Sequence, residues 1–473
     1  MEEFIAELTR QYGPDLVLRG SDAQARGSGW GSPEPCRAAA ILRPQSTQQV
    51  SAILNLCSAQ KRTIVPHGGL TGVVRGVHTE PGDLALSLER MNQIEELDEP
   101  GQTMTVQAGA ILQRVQERAR QAGLLFPMDL GARGSATIGG IISTNAGGNA
   151  VLRYGMTRNL VLGLEVVLAD GTVLSNLCPV LKNNTGYDLK QLFIGAEGTL
   201  GVVTRAVLRL VPQPASQTTA LAAVQEFRQL PTLLKFLGAR LGGTLSAFEV
   251  MWNAYYRLVT TPPARNTPAL AQTYPYYVLI EATGSDQAAD QARFEKILAE
   301  AQEQDWIADC AIALSSKERN ALWEARDAVE QLAQHRPVFS FDISVPLQFM
   351  ESYCAETVAS LKQGWPDHRC FIFGHLGDGN LHVIVAVGSD DPAVRHQVES
   401  VVYQGLRSRH GSISAEHGIG LDKRPFLSWS RSEEEIGVMR SLKKLLDPQG
   451  LLNPGKVLPE EPPRVRETIM ASA

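Results

Sequence analysis

Three glycine-rich stretches, each beside a short apolar segment, limit what the first half of this chain can become. They are "PHGGLTGVVRG" (Pro66–Gly76), "PMDLGARGSATIGGIISTNAGGNAVLRYG" (Pro127–Gly155) and "NNTGYDLKQLFIGAEGTLGVVT" (Asn183–Thr204). A residue without Cβ lets backbone N–H groups turn closely toward an anion. One such loop alone reads equally well as a plain turn. No Gly-Lys-Ser/Thr follows the first stretch, and no Gly-x-Gly-x-x-Gly opens a helix, which argues against a P-loop and a nicotinamide Rossmann domain. Three glycine loops at strand ends in one domain point instead to a large flat cofactor carrying a diphosphate.

The pattern around these loops is α+β. "RPQSTQQVSAILNLCSAQ" has a Ser/Thr start and helical spacing at Val50, Ile53, Leu54 and Cys57. "RTIVP", "DLALSL" and "TMTVQAGA" read as strands, "ILQRVQERARQAG" as a helix, and "LGLEVVLADGTVLS" as two strands around an Asp-Gly turn. "GTLGVVTRAVLRLVP" is a long strand closing a first domain, residues 1–215. From 216 to 420 longer helical stretches (224–238, 285–303, 318–334) alternate with "YYVLIEATG", "VFSFDISVP" and "CFIFGHLGDGNLHVIVAVG". That texture predicts an antiparallel sheet with helices on one face. Residues 421–473 form a C-terminal segment that returns to the first domain, and the last dozen residues look loose.

With 473 residues, several domains are expected. A formal charge of −6, from 44 basic and 50 acidic side chains, gives no footprint for nucleic acid. No apolar run reaches the length of a membrane span, and the acidic start "MEEFIAELTRQYG" lacks a signal-peptide layout. Six scattered cysteines without Cys-x-x-Cys suggest a reduced, cytoplasmic compartment.

The second half carries "GHLGDGNLH" (Gly374–His382), and some thirty residues on "SAEHGIG" (Ser414–Gly420). His375 and His382 are seven apart, an odd spacing that sends them to opposite faces of a continuous strand. A strand, a tight Gly-Asp-Gly turn and a returning strand bring both imidazoles to one point. Two imidazoles and one carboxylate suit a divalent transition ion with an open position, and Glu416 supplies the carboxylate. The plain alternative is two structural histidines and a turn. Asp378 reads as fixing that turn.

In combination these stretches resemble the FAD-binding oxidases and dehydrogenases of the vanillyl-alcohol oxidase type, more narrowly the D-2-hydroxyglutarate and D-lactate dehydrogenase branch, from about residue 40 to 459. The resemblance implies a two-part FAD-binding domain, a cap domain for substrate and metal, and a short C-terminal helical segment. It places the FAD pyrophosphate in the loop of Pro66, His67, Gly68, Gly69, Leu70, Thr71 and Gly72. Further FAD contacts fall at Asp129, Ser135, Gly139, Gly140, Asn145, Gly148, Val203 and Asn453. His67 stands where relatives more often have Gln, and is read as a hydrogen-bonding or space-filling residue rather than a covalent flavin attachment. His375, His382 and Glu416 match the metal ligands, for zinc or manganese. His417 matches the catalytic base. Asn380 and Arg326 match substrate contacts, Arg326 as a planar fork for a carboxylate.

The implied reaction is oxidation of an (R)-2-hydroxy acid to the 2-oxo acid. The cation lowers the hydroxyl pKa, His417 takes the proton, and hydride passes from C2 to flavin N5. Where the hydroxyglutarate enzymes have a substrate-binding threonine and lysine, this chain has Glu330 and Ser340. The overall wording therefore favours D-2-hydroxyglutarate and the pocket does not, leaving D-lactate or another D-2-hydroxy acid open. A metal hydrolase would leave the glycine loops idle, and a non-catalytic flavin-binding subunit would leave the metal residues idle. An electron-transfer flavoprotein or quinone as acceptor, and a homodimer, complete the expectations.

Overall fold

The computed structural model describes residues 1–30 and 34–460, so the expectation for the loose last dozen residues lies outside them. Strands β1 (Ala40–Leu42), β2 (Ile64–His67) and β3 (Leu84–Ser87) form a small parallel sheet in the order β1-β3-β2, with Val17–Leu18 added antiparallel at the β1 edge. Between β1 and β2 runs helix α1 (Thr47–Ala59), capped by Ser46, whose hydroxyl accepts from the Gln49 N–H at 3.3 Å. Its Val50, Ile53, Leu54 and Cys57 are buried, as their spacing predicts.

A second, antiparallel sheet holds β4 (Ile94–Asp98), β5 (Thr103–Gln107), β6 (Val161–Val167), β7 (Val173–Asn176) and β8 (Val202–Arg209) in the order β4-β5-β8-β6-β7. β6 and β7 are the expected hairpin around Asp170–Gly171. Helices α2 (Leu112–Gln121) and α3 (Ile138–Thr144) pack into the same core, and the second glycine stretch wraps both ends of α3.

The third sheet has seven antiparallel strands: β9 (Ser216–Val224), β10 (Leu245–Trp252), β11 (Tyr276–Gly284), β12 (Asp309–Ile312), β13 (Phe339–Ser344), β14 (Arg369–His375) and β15 (Asn380–Ala386). Their order is β12-β9-β11-β10-β14-β15-β13. Helices α4 (Gln229–Leu241), α5 (Asn253–Thr260), α6 (Gln287–Glu303), α7 (Ser316–Asp327), α8 (Leu347–Gly364) and α9 (Pro392–Arg407) connect the strands. α4, α6, α8 and α9 cover one face through Leu233, Leu237, Phe294, Met350 and Val402. The expectation of helices on one face is corrected here: α5 and α7 cover part of the other through Tyr255, Tyr256 and Leu322, against Met251, Phe371 and Phe373.

Two element boundaries also differ. The stretch expected as a helix from 224 begins only at Gln229, because β9 stays in register with β11 to Val224↔Tyr276. The helix expected over 318–334 stops at Asp327. Ala328 leaves helical geometry (φ −72°, ψ 45°), the Tyr255 hydroxyl donates to the Arg326 carbonyl at 2.9 Å, and a 3-10 segment continues from Val329 to His335.

After α9 the chain passes through the Ser414–Gly420 loop to α10 (Glu433–Leu446), which starts on a capping box of Ser432 and Glu435. It then runs back beside β2: the Ile64 N–H donates to the Leu451 carbonyl at 2.9 Å, and the Asn453 N–H donates to the Ile64 carbonyl at 2.8 Å.

Candidate functional site

Sheet register builds the centre of the site. On β10, β14, β15 and β13 the pairs Glu249↔His375, Phe373↔His382 and Asp342↔His382 put Glu249, His375, His382 and Asp342 on one face. The turn between β14 and β15 closes on Gly379 at φ 83°, a left-handed conformation that costs glycine little, and the Asp378 carboxylate accepts from the Asn380 N–H at 3.2 Å. The two rings then stand with centroids 5.5 Å apart.

The loop carrying Glu416 and His417 is held from both sides by buried carboxylates. Asp342 Oδ2 accepts the N–H groups of Ala415, Glu416 and His417 at 3.2, 2.9 and 3.0 Å. From the first half of the chain, Glu197 accepts those of Ile419 and Gly420 at 2.7 and 2.9 Å. Lys423 lies between them, donating to the Asp342 carbonyl and the Ser414 hydroxyl at 3.2 and 3.0 Å. The loop is thus fixed to both halves of the molecule. Gly147, in the second glycine stretch, lies against the Glu416 carboxylate so closely that a Cβ would sit 2.3 Å from Oε1.

Ligand atoms of His375, His382 and Glu416 all lie within 4.8 Å of one another, and so do those of Asp342, Glu416 and His417. The two sets share Glu416 and differ in how far the other donors are already engaged. Asp342 Oδ2 already takes three N–H groups, and Oδ1 accepts from the Asn380 amide at 2.9 Å. His375 Nδ1 donates to Glu249 Oε1 at 2.8 Å, which leaves Nε2 as the ligand atom. Burial lifts the Glu416 carboxyl to about 7, the environment of a carboxylate that a cation would stabilise. This donor set, two imidazoles and one carboxylate, fits zinc or manganese.

Arg326 lies over the same face, buried, with Nε and Nη2 donating to Glu249 Oε2 at 3.1 and 2.7 Å and Nη1 to Asp327 at 2.9 Å. Burial alone would raise the Glu249 carboxyl, but His375 and Arg326 outweigh it and hold it down at about 2. Burial lowers the pKa of His417 more than the nearby Asp342 raises it, so the ring is neutral at pH 7.

One cavity of about 390 Å³ joins these groups to the glycine loops. Its wall includes Pro66–Gly72, Asp129, Gly139, Gly140, Gly148, Val203 and Asn453, together with Arg326, His375, His382, Glu416 and His417. Asn453 bears a buried Oδ1 with no hydrogen-bond partner among the described residues, while its amide N donates to the Gly76 and Glu197 carbonyls at 3.1 and 2.7 Å. A fixed, unsatisfied acceptor in a glycine-lined cavity is what a hydrogen-bonding cofactor requires.

Several sequence expectations fall outside this wall. Ser135 has an exposed side chain, and only its backbone packs on Gly69. Asn145 caps α3 and accepts from the Arg158 N–H at 3.0 Å, lining a second cavity behind the loop. Asn380 is not in this wall: its amide N donates to Asp342 Oδ1 and the Ile343 carbonyl at 2.9 and 3.0 Å, and its buried Oδ1 has no hydrogen-bond partner among the described residues. Glu330 is exposed in the 3-10 segment because α7 has already ended. Ser340 shares the face of Asp342 but lies two residues further out, exposed. Sequence reading missed Glu249, Asp342, Glu197 and Lys423. For the first two a signal existed, a lone acid in each of the apolar strands "LSAFEVMW" and "FSFDIS".

His67 is 4% exposed, and its Nε2 pairs with the Val77 carbonyl at 3.0 Å. Burial lowers its pKa from 6.5 to about 4. The unfolded chain therefore takes up a proton below pH 6.5 that the folded ring refuses until about pH 4, costing up to about 3 kcal/mol over that window. His67→Gln should flatten the fall in melting temperature between pH 6.5 and 4; parallel profiles for parent and variant would contradict this.

Residues 38–176 match the family model "FAD binding domain", and residues 213–457 match "FAD linked oxidases, C-terminal domain". The chain is 41% identical over 427 residues to D-2-hydroxyglutarate dehydrogenase of Xanthomonas citri pv. viticola, covering 88% of this chain and 89% of that one. It is 39% identical over 420 residues to the mitochondrial D-2-hydroxyglutarate dehydrogenase of Bos taurus, covering 89% and 76%. Among solved structures, 4-ethylphenol oxidase from Gulosibacter chungangensis superposes with a TM-score of 0.73 at 18% identity, covering 97% of each chain.

Proposed function

The chain belongs to the FAD-linked oxidases, in their D-2-hydroxyglutarate and D-lactate dehydrogenase branch, and on that premise we propose a division of labour among its residues. It is an FAD-dependent oxidoreductase that oxidises a D-2-hydroxy acid at its CH–OH group. FAD, when bound, supplies the two-electron acceptor. His375, His382 and Glu416 hold a divalent cation, zinc or manganese, that supplies a Lewis acid for the substrate hydroxyl. Arg326 binds the substrate carboxylate with the Nη1 N–H that Glu249, Asp327 and His375 leave free. His417, neutral and in the same cavity wall, takes the hydroxyl proton. The Ser414–Gly420 loop, tied to Asp342 and Glu197, holds that base in the cavity wall.

The observation that carries this reading is the continuity of the cavity: the donor set and His417 share one wall with all three glycine loops. D-2-hydroxyglutarate is the first substrate to test. D-lactate or another monocarboxylic D-2-hydroxy acid is the second reading, because Arg326 is the only Lys or Arg among the described residues that line the cavity. Electrons leave to an electron-transfer flavoprotein or a quinone, an acceptor carried here by the resemblance alone. All six cysteines are free thiols, which fits a reducing compartment such as the cytoplasm; the bovine relative is mitochondrial. Among the described residues no helix is long and apolar enough to cross a membrane.

The test is anaerobic flavin reduction against a panel of D- and L-2-hydroxy acids, with and without chelator. Purified protein should be yellow and should bleach with D-acids only, and chelator should abolish bleaching. A colourless protein, or bleaching indifferent to chelator, would remove the FAD or the metal assignment respectively.

A further inference from the structure

Glu249 lies in neither of the motifs that mark the site. It is the one charge in the strand "LSAFEVMW", its side chain is 2% exposed, and its neighbours in sequence are Phe248 and Val250, both buried in the core. A carboxylate in such a place costs several kcal/mol unless its oxygens are fully engaged. Here they are divided between two functional groups. Oε1 takes the Nδ1 proton of His375, and Oε2 takes two N–H groups of Arg326. Arg326 Nη2 and His375 Nε2 are themselves 3.3 Å apart.

We propose that Glu249 is a positioning residue that joins the substrate-carboxylate clamp to the metal centre as one rigid unit, fixing both the tautomer of His375 and the distance of Arg326 from it. This rests on the reading of His375 as a metal ligand and Arg326 as the clamp. Holding the proton on Nδ1 leaves Nε2 as the ligand atom, between Arg326 Nη2 at 3.3 Å and the ligand atoms of His382 and Glu416 within 4.8 Å. Holding Nε, Nη2 and Nη1 leaves one Nη1 N–H unengaged, at a set distance from His375 Nε2. A chelated 2-hydroxy acid presents its hydroxyl and carboxylate at a distance set by its own bonds. One carboxylate that sets both receptors therefore matches them to each other.

The geometry makes the variants discriminating. Both partners of Glu249 are donors, and a glutamine has one acceptor oxygen and one NH₂. In Glu249→Gln one partner faces a donor and must turn away. Glu249→Asp keeps the charge but is one methylene shorter, so it reaches one partner at a time. The experiment is Zn²⁺ affinity by chelator competition on the FAD-loaded full chain, with KM and kcat for the best substrate of the panel. FAD content and melting temperature report on folding.

Glu249→Gln should weaken Zn²⁺ binding by about 10–100-fold and raise KM. Arg326→Met should raise KM while leaving Zn²⁺ affinity within about threefold. The double variant should raise KM by less than the product of the two single effects. If Glu249→Gln loses FAD, Glu249→Asp decides: it should impair Zn²⁺ affinity or KM with the other near the parent value. Parent-like Zn²⁺ affinity and KM in a folded, yellow Glu249 variant would overturn the proposal. A parent chain that binds no Zn²⁺ would instead overturn the metal reading on which it rests.

Discussion

His417→Gln should lower kcat by about 10²–10⁴-fold, the range for loss of a general base, while leaving FAD content and KM near parent values. The ring lines the cavity, with Nδ1 3.6 Å from Asp342 Oδ2. Burial keeps it unprotonated at neutral pH, so it is ready to accept a proton from the substrate hydroxyl. The carboxylate behind it lies near enough to compensate the charge that forms on the ring. Nothing in this role involves holding the substrate in its ground state, so the loss falls on the chemical step. Stopped-flow flavin reduction measures that step directly. A variant that reduces flavin at the parent rate would show that the proton goes elsewhere.

Asp342→Asn is the second large effect, and it separates positioning from chemistry. The carboxylate accepts three consecutive backbone N–H groups and the Asn380 amide, and faces the buried Lys423 at 3.7 Å. An amide of the same shape puts an NH₂ against donors and leaves the Lys423 ammonium buried without its countercharge. Breaking a buried pair on one side costs about 3–5 kcal/mol. The cost falls on the loop that carries Glu416 and His417. Amide hydrogen exchange at Ala415, Glu416 and His417 should speed up by about 100-fold or more. Metal affinity and kcat should fall together, unlike the result for His417→Gln. Unchanged exchange in that loop would mean that Glu197 alone holds it.

What could be read from the sequence was local. The odd spacing of His375 and His382 around Gly-Asp-Gly specifies a hairpin, and β14, the turn and β15 form one. The glycine stretches specify backbone that can approach a ligand, and all three reach one cavity. Long-range pairing could not be read in this way. The strand "LSAFEVMW" announces a buried acid, but only the register Glu249↔His375 says whose partner it is. The same holds for Asp342, whose three N–H partners lie more than seventy residues away. Glu330 and Ser340 came from matching positions in relatives. They miss the cavity because α7 ends at Asp327 and because β13 carries Ser340 out to solvent. Helix α7 itself was overextended because Leu332 continues its apolar pattern, while the Tyr255 hydroxyl that terminates it comes from another helix.

The central claim is that a cation sits among His375, His382 and Glu416 in the wall of the flavin cavity. Anomalous diffraction from crystals of the FAD-loaded protein, collected at the zinc and manganese edges, tests it most directly. The account predicts one peak within bonding distance of His375 Nε2, a ring nitrogen of His382 and the Glu416 carboxylate. No peak there, or a peak bonded to Asp342 instead, would contradict it.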